Sequence, residues 1–228
     1  MTNPLTRMPF LIYTAVTAAA IAGLMLWGDE PLMRLLRPER NTPTVEFFAA
    51  ITDFANGVLW YSVALTGLAV AVTRYRSQQL PLSAAAFTAR KRAWIFMIVA
   101  MATSGIIGVA LKFVIGRDRP RFLFEDGGAS FHPFRLNTGD STFPSGHAQS
   151  ICSAMLALAL IYPPLRPVFL VTAALIAASR VIIGAHYASD VLGGIWLAVA
   201  AVLYWRYRFE ANGQKLDLTL VRAQTPGT

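Results

Sequence analysis

Twenty-one consecutive residues, Met8 to Gly28, separate Arg7 from Asp29 without a charged side chain, and the pattern recurs down the chain. A further 20 run from Phe54 to Thr73, and 19 from Ala93 to Leu111. A fourth uncharged run, Ser141 to Leu165, holds a helix expected to start near Gly146 and to stop before Pro163 and Pro164. The fifth runs from Pro167 through Arg180 to about Gly184, and the sixth covers Val191 to Trp205. A helix of about 20 mostly apolar residues spans a bilayer, and backbone in lipid must satisfy its own hydrogen bonds. The expectation is an all-α integral membrane bundle of six transmembrane helices, with residues 1–228 forming a single membrane domain.

Composition supports lipid as the solvent. Hydrophobic residues make up 55% of the chain and charged residues 14%, against about a quarter charged in ordinary soluble domains. The net charge of +8 would raise nucleic acid as a partner in a soluble protein. In a membrane chain, basic residues instead set topology and meet anionic headgroups. The lone Cys152 excludes an intrachain disulfide and sits in an apolar run, as a small packing residue. The first run exceeds a signal-peptide core and ends at Asp29 and Glu30 rather than at a cleavage site, so it is expected to remain as a span.

The loops fix the orientation. With the N-terminus inside, the cytoplasmic side holds Arg7, Arg74, Arg76, Arg90, Lys91, Arg92, Arg166, Arg206, Arg208, Lys215 and Arg222, which is 11 of the 20 basic residues. Of the nine opposite, Lys112, Arg117, Arg119, Arg121, Arg135 and Arg180 cluster around the motifs below. Setting those six aside leaves 11 against three, as the positive-inside tendency requires.

Three motifs then fall at helix ends. Lys112 is followed after six residues by Arg119-Pro120, at the end of the third helix. Pro144-Ser145-Gly146-His147 opens the fourth, and Ser179-Arg180, five residues, His186, three residues, Asp190 joins the fifth to the sixth. Alternating topology delivers all of them to one membrane face. Lys112, Arg119 and Arg180 are costly charges beside a bilayer, and Asp118 and Asp190 are too few to neutralise them, so an outside anion is expected. Phosphate suits an Arg fork and a Lys point charge. Lys112 and Arg119 share a face if the helix persists that far, and Pro120 is expected to mark its end. The helix start at Ser145 and Gly146 offers free amides, a cap and a hydroxyl donor. His186 and Asp190, four apart, form an imidazole oriented by a carboxylate and able to attack phosphorus. His147 would then protonate the leaving oxygen and later activate water.

Together these clusters resemble the signature of the type 2 phosphatidic acid phosphatase family, whose fold and motifs are shared with vanadium-dependent haloperoxidases. The motif region runs from Lys112 to Asp190, and no motif position departs from the pattern. The resemblance implies a hydrolase of lipid phosphates or diphosphates working through a phosphohistidine, with His186 as nucleophile, Asp190 as its partner and His147 as general acid. It also implies phosphate contacts from Lys112, Arg119, Ser145, Gly146 and Arg180, with no metal or other cofactor. Undecaprenyl diphosphate, phosphatidylglycerophosphate, phosphatidic acid and lipid A phosphates are the candidate substrates. Phosphotransfer between lipids or non-catalytic lipid binding could use the same pocket. The expected location is a bacterial inner membrane, with the site facing the periplasm or exterior. A haloperoxidase role is disfavoured because those enzymes are generally soluble.

Outside the motifs, His132 reads as an ordinary loop residue, and Arg117 and Asp118 as pairing with each other or with water. The connection from Arg121 to Phe143 carries Phe122, Phe124, Phe131 and Phe134, as an interfacial flap or a packed loop. Leu32 to Asp53 reads as an interfacial helix or packed loop, and the polar tail from Gly213 as loosely ordered. Trp60, Tyr61, Trp94, Trp205 and Tyr207 read as interface-belt aromatics with no ligand role.

Overall fold

The computed structural model describes residues 4–36, 42–77, 82–125, 130–211 and 215–222. The α-helices are α1 (Met8–Gly23), α2 (Asp29–Leu36), α3 (Pro43–Thr52), α4 (Gly57–Arg76) and α5 (Ala84–Ile115). They are followed by α6 (Pro120–Glu125), α7 (Gly146–Ile161), α8 (Arg166–Ile182), α9 (Ala188–Glu210) and α10 (Thr219–Arg222). Among the described residues, five segments are long and apolar enough to cross a membrane: 8–36, 57–76, 84–115, 163–182 and 188–210. The sixth expected span is α7, with 16 residues.

At 1.5 Å per residue α7 is about 24 Å long, short of the roughly 30 Å hydrocarbon core. Its surroundings explain how it is tolerated. Eleven of its residues are buried, and α4, α5, α8 and α9 pack around it. Protein rather than lipid is therefore its solvent. Small residues permit the close packing: Ala148, Ala154 and Ala157 on α7 share one buried cluster with Ala100 on α5, Ala173 and Ala177 on α8 and Ala198 on α9. The outer helices present the opposite face, with Leu11, Ile12, Val16, Leu65, Ile106, Val109, Val171 and Leu175 exposed as lipid-facing side chains. Cys152 is buried in the core.

Several expectations are refined. The first span does not end at Asp29: a π-helical turn over Leu24–Gly28 leads straight into α2, and Asp29 is buried. The segment from Leu32 to Asp53 forms the end of α2 and then α3, with residues 37–41 outside the described ones. Pro120 does not end a helix. The third span stops at Ile115 because Gly116 adopts a left-handed φ of 60°, where an added Cβ would collide with the His132 carbonyl. Pro120 instead opens α6, as a residue lacking an amide proton can. The tail is not loose throughout: Leu216 is buried and the Leu218 amide donates to the Ile161 carbonyl at 3.0 Å. Residues 213, 214 and 223–228 of that tail lie outside the described ones.

Candidate active site

The ends of α5 and α8 and the starts of α7 and α9 meet at one end of the bundle. Two isolated antiparallel bridges, Arg117 to Phe131 and Asp118 to Ser141, fold the α5–α7 connection back over them. Lys112 Nζ, on the last turn of α5, donates to the Ser141 carbonyl at 2.6 Å. The Ser145 amide donates to the Asp190 carbonyl at 2.9 Å, and the Ser145 side chain caps α7 by accepting from Ala148 N at 3.4 Å. This contact needs Gly194, because a Cβ there would lie 2.5 Å from the Ser145 carbonyl oxygen. The first amides of α7, Gly146 and His147, have no carbonyl partner within the helix and carry the positive end of its dipole.

The imidazole and carboxylate of the third motif lie together at a turn. His186 precedes α9 and Asp190 lies in its first turn. Both are buried, yet His186 Nδ1 and Asp190 Oδ2 are 3.7 Å apart, longer than a hydrogen bond. The Thr142 hydroxyl fills the gap, 2.9 Å from His186 Nδ1 and 2.7 Å from Asp190 Oδ2. An ionised carboxylate only accepts, so the single Thr142 proton goes to Asp190, and the hydroxyl oxygen accepts from the His186 Nδ1–H. The tautomer is thereby fixed, with Nε2 left for another partner. The Tyr187 amide and Arg117 Nη1 also donate to Asp190, at 2.8 and 2.9 Å.

Cations lie near both histidines. The charges of Lys112 and Arg119 act on His186, and those of Arg180, Arg119, Lys112 and Asp53 act on His147. Arg119 Nε donates to the Gly139 carbonyl at 2.9 Å. Arg180 Nη1 donates to Thr52 Oγ1 on α3 at 2.7 Å, while its buried Nε has no partner among the described residues. All eight residues singled out from sequence, Lys112, Arg119, Ser145, Gly146, His147, Arg180, His186 and Asp190, therefore gather at this end of the bundle. Lys112 and Arg119 meet it through the folded-back loop rather than through a shared helical face.

A cavity of about 670 Å³ opens beside them. Lys112, Ser145, Gly146 and His147 line its polar end, and Gly105, Ile106, Gly108 and Val109 of α5 line its apolar length. Tyr61, expected only as a belt aromatic, faces it from α4.

Thr142, Arg117 and Asp29 escaped the sequence reading. Thr142 lies in the connection from Arg121 to Phe143, outside the three motifs. Arg117 is buried and does not pair with Asp118: it bridges Asp29 and Asp190, each at 2.9 Å. Asp118 instead pairs with His132 at 3.2 Å and with Arg135 at 2.9 Å, so His132 helps to pin the loop. Of that loop, Phe131, Phe134 and Leu136 are exposed, and residues 126–129 lie outside the described ones.

Comparison with known proteins follows the same lines. Residues 93–214 match the model of the PAP2 superfamily. The chain is 30% identical over 203 residues to the lipid A 1-phosphatase of Rhizobium etli, covering 84% of this chain and 83% of that one. It is 26% identical over 154 residues to the undecaprenyl-diphosphatase of Sulfolobus acidocaldarius, covering 65% and 72% of the two chains. A transmembrane PAP2 type phosphatidylglycerolphosphate phosphatase from Bacillus subtilis superposes with a TM-score of 0.62 at 20% identity, over 94% of this chain and 98% of that one.

Proposed function

This chain belongs to the PAP2 superfamily, and on that premise we propose that it removes phosphate from a membrane lipid through a phosphohistidine formed on His186. The observation that carries the proposal is the hydrogen-bond relay from His186 Nδ1 through Thr142 to Asp190. It leaves Nε2 as the nucleophilic nitrogen beside a cluster of cations. As Nε2 attacks phosphorus the ring gains positive charge, and the relay stabilises it.

Lys112, Arg119, the Arg180 Nε, the Ser145 hydroxyl and the Gly146 amide hold the transferring phosphoryl oxygens, where charge spreads in the transition state. His147 donates a proton to the leaving oxygen and then takes one from the attacking water. The first step breaks the lipid P–O bond and forms P–N; the second breaks P–N and releases phosphate, regenerating neutral His186. Charge is supplied by fixed side chains, so turnover proceeds in a chelator. The positive-inside count supports a site on the periplasmic or outer side of a bacterial inner membrane.

The apolar length of the cavity suits a hydrocarbon chain entering from the bilayer between α4 and α5. Among lipid phosphates, the likeness to the Rhizobium protein makes the 1-phosphate of lipid A the first to test, with undecaprenyl diphosphate second. The experiment is a panel of lipid phosphates, including these two, phosphatidylglycerophosphate and phosphatidic acid, assayed for released phosphate in chelator. Release from at least one by the wild type, and none by His186→Ala, supports hydrolysis. Transfer of the phosphate to a second lipid without free phosphate would favour phosphotransfer.

A further inference from the structure

Beneath the His186–Thr142–Asp190 relay lies a second tier of buried charge. Arg117 Nη1 donates to Asp190 Oδ1 at 2.9 Å and to Ser189 Oγ at 2.7 Å, and Nη2 donates to Asp29 Oδ2 at 2.9 Å. Its guanidinium stacks on the Tyr187 ring at 4.1 Å. Asp29 in turn accepts from the Ser189 amide at 3.1 Å and from the Ser189 hydroxyl. Asp29, Arg117 and Asp190 are 2%, 3% and 0% exposed, so these bonds are shielded from bulk solvent.

We infer that Arg117 and Asp29 are positioning residues for the reaction: Arg117, gripped from behind by Asp29, fixes the carboxylate that orients His186. The inference rests on the phosphohistidine reading. Both oxygens of Asp190 are committed, Oδ1 to Arg117 and Oδ2 to Thr142 and the Tyr187 amide. Rotation of the carboxylate would break the relay, and the Arg117 fork prevents it. The charges also matter. Two carboxylates and one guanidinium leave a net negative charge behind Asp190, which supports the positive charge that His186 gains during attack. Asp29 keeps Arg117 from neutralising Asp190 fully. Asp29 lies outside the matched region 93–214, so the first span contributes to the site through a residue that the family motifs do not contain.

Among the described residues, the groups acting on His186 are Thr142, Asp190, Lys112 and Arg119, and the two variants change the field on it in opposite senses. Asp29→Asn removes an anion and leaves Arg117 and Asp190 as a balanced pair, so no unpaired buried charge opposes folding. Arg117→Gln removes the cation. We expect Asp29→Asn to lower kcat about 10- to 100-fold with KM nearly unchanged and to move the acid limb of kcat/KM to lower pH. Arg117→Gln should lower kcat and move that limb to higher pH. Both are measured on purified full-length protein in detergent with the lipid phosphate on which the wild type is active, beside thermal melting. Wild-type kcat and an unmoved limb in Asp29→Asn would overturn the inference, as would limbs that shift in the same direction. If Arg117→Gln does not fold, Asp29→Asn decides alone. His186→Ala is assayed in parallel: full turnover there refutes the catalytic reading itself, whereas an inactive His186→Ala beside an unaltered Asp29→Asn refutes only the positioning role.

Discussion

The Thr142 hydroxyl lies 2.9 Å from Nδ1 of His186, closer than the Asp190 carboxylate at 3.7 Å. The imidazole is oriented through an intermediary, so the relay has a third member whose removal can be tested without touching charge. Thr142→Val keeps shape and burial but deletes the hydroxyl. It should lower kcat about 10- to 100-fold with little change in KM, while Thr142→Ser should keep most of the activity. Steady-state rates on a lipid phosphate substrate check this, and wild-type kcat in Thr142→Val would remove Thr142 from the relay.

Burial pushes the His186 imidazole down to about 4, with Lys112 and Arg119 acting in the same direction and the negative charge of the nearby Asp190 carboxylate opposing them. Protonation would block attack by Nε2, so the acid limb of kcat/KM should fall near pH 4 rather than near the ordinary histidine value of about 6.5. The same depression makes stability pH-dependent. The unfolded imidazole takes up a proton below about 6.5 while the folded one does not, so this contribution is present above that pH and is lost as pH falls towards 4. Melting temperature in detergent should decline over that window, and less steeply in His186→Ala.

Gly194 brings α9 against the start of α7. A Cβ at Gly194 would lie 2.5 Å from the Ser145 carbonyl oxygen and 3.1 Å from Gln149 N, and both are backbone atoms that cannot turn aside. Gly194→Ala should therefore displace Ser145 and Gly146 and reduce kcat more than it reduces expression. A shift of about 1 Å can lower the rate about 100-fold. Rates alongside size-exclusion profiles make the comparison.

The apolar length of the cavity predicts a split between substrates. Gly105 has open space beside it, with Gln149 Oε1 at 3.9 Å from an added Cβ, so Gly105→Leu should fill the channel without disturbing the phosphate-facing residues. KM for a long-chain lipid phosphate should rise several-fold, while turnover of a short-chain, water-soluble phosphate ester should change little.

Much of this architecture is legible in the sequence because bilayer physics is coarse. Charge-free runs set the spans, and alternation of the spans fixes which helix ends share a face, which brought Lys112, His147, Arg180 and His186 to one place. The finer parts follow rules that periodicity does not carry. Asp29 closes an uncharged run and so read as a flank, although it lies inside a continuous helical segment whose buried end needs a cation 88 residues away. Arg117 sits one residue from Asp118, and proximity in sequence suggested the wrong partner. Thr142 is one small polar residue in a loop full of them. The one available signal was arithmetic: a buried carboxylate near a membrane demands compensation, and Arg117 was the unassigned cation nearest the motifs.

The central claim is that His186 carries the phosphoryl group between the two half-reactions. Rapid quenching of the full-length protein with a phosphate-labelled lipid substrate in chelator tests it directly. A protein-bound label that is labile in acid, stable in alkali and absent from His186→Ala is the predicted result. Steady release of phosphate by the wild type with no bound label at any quench time, or a label that persists in His186→Ala, would contradict it.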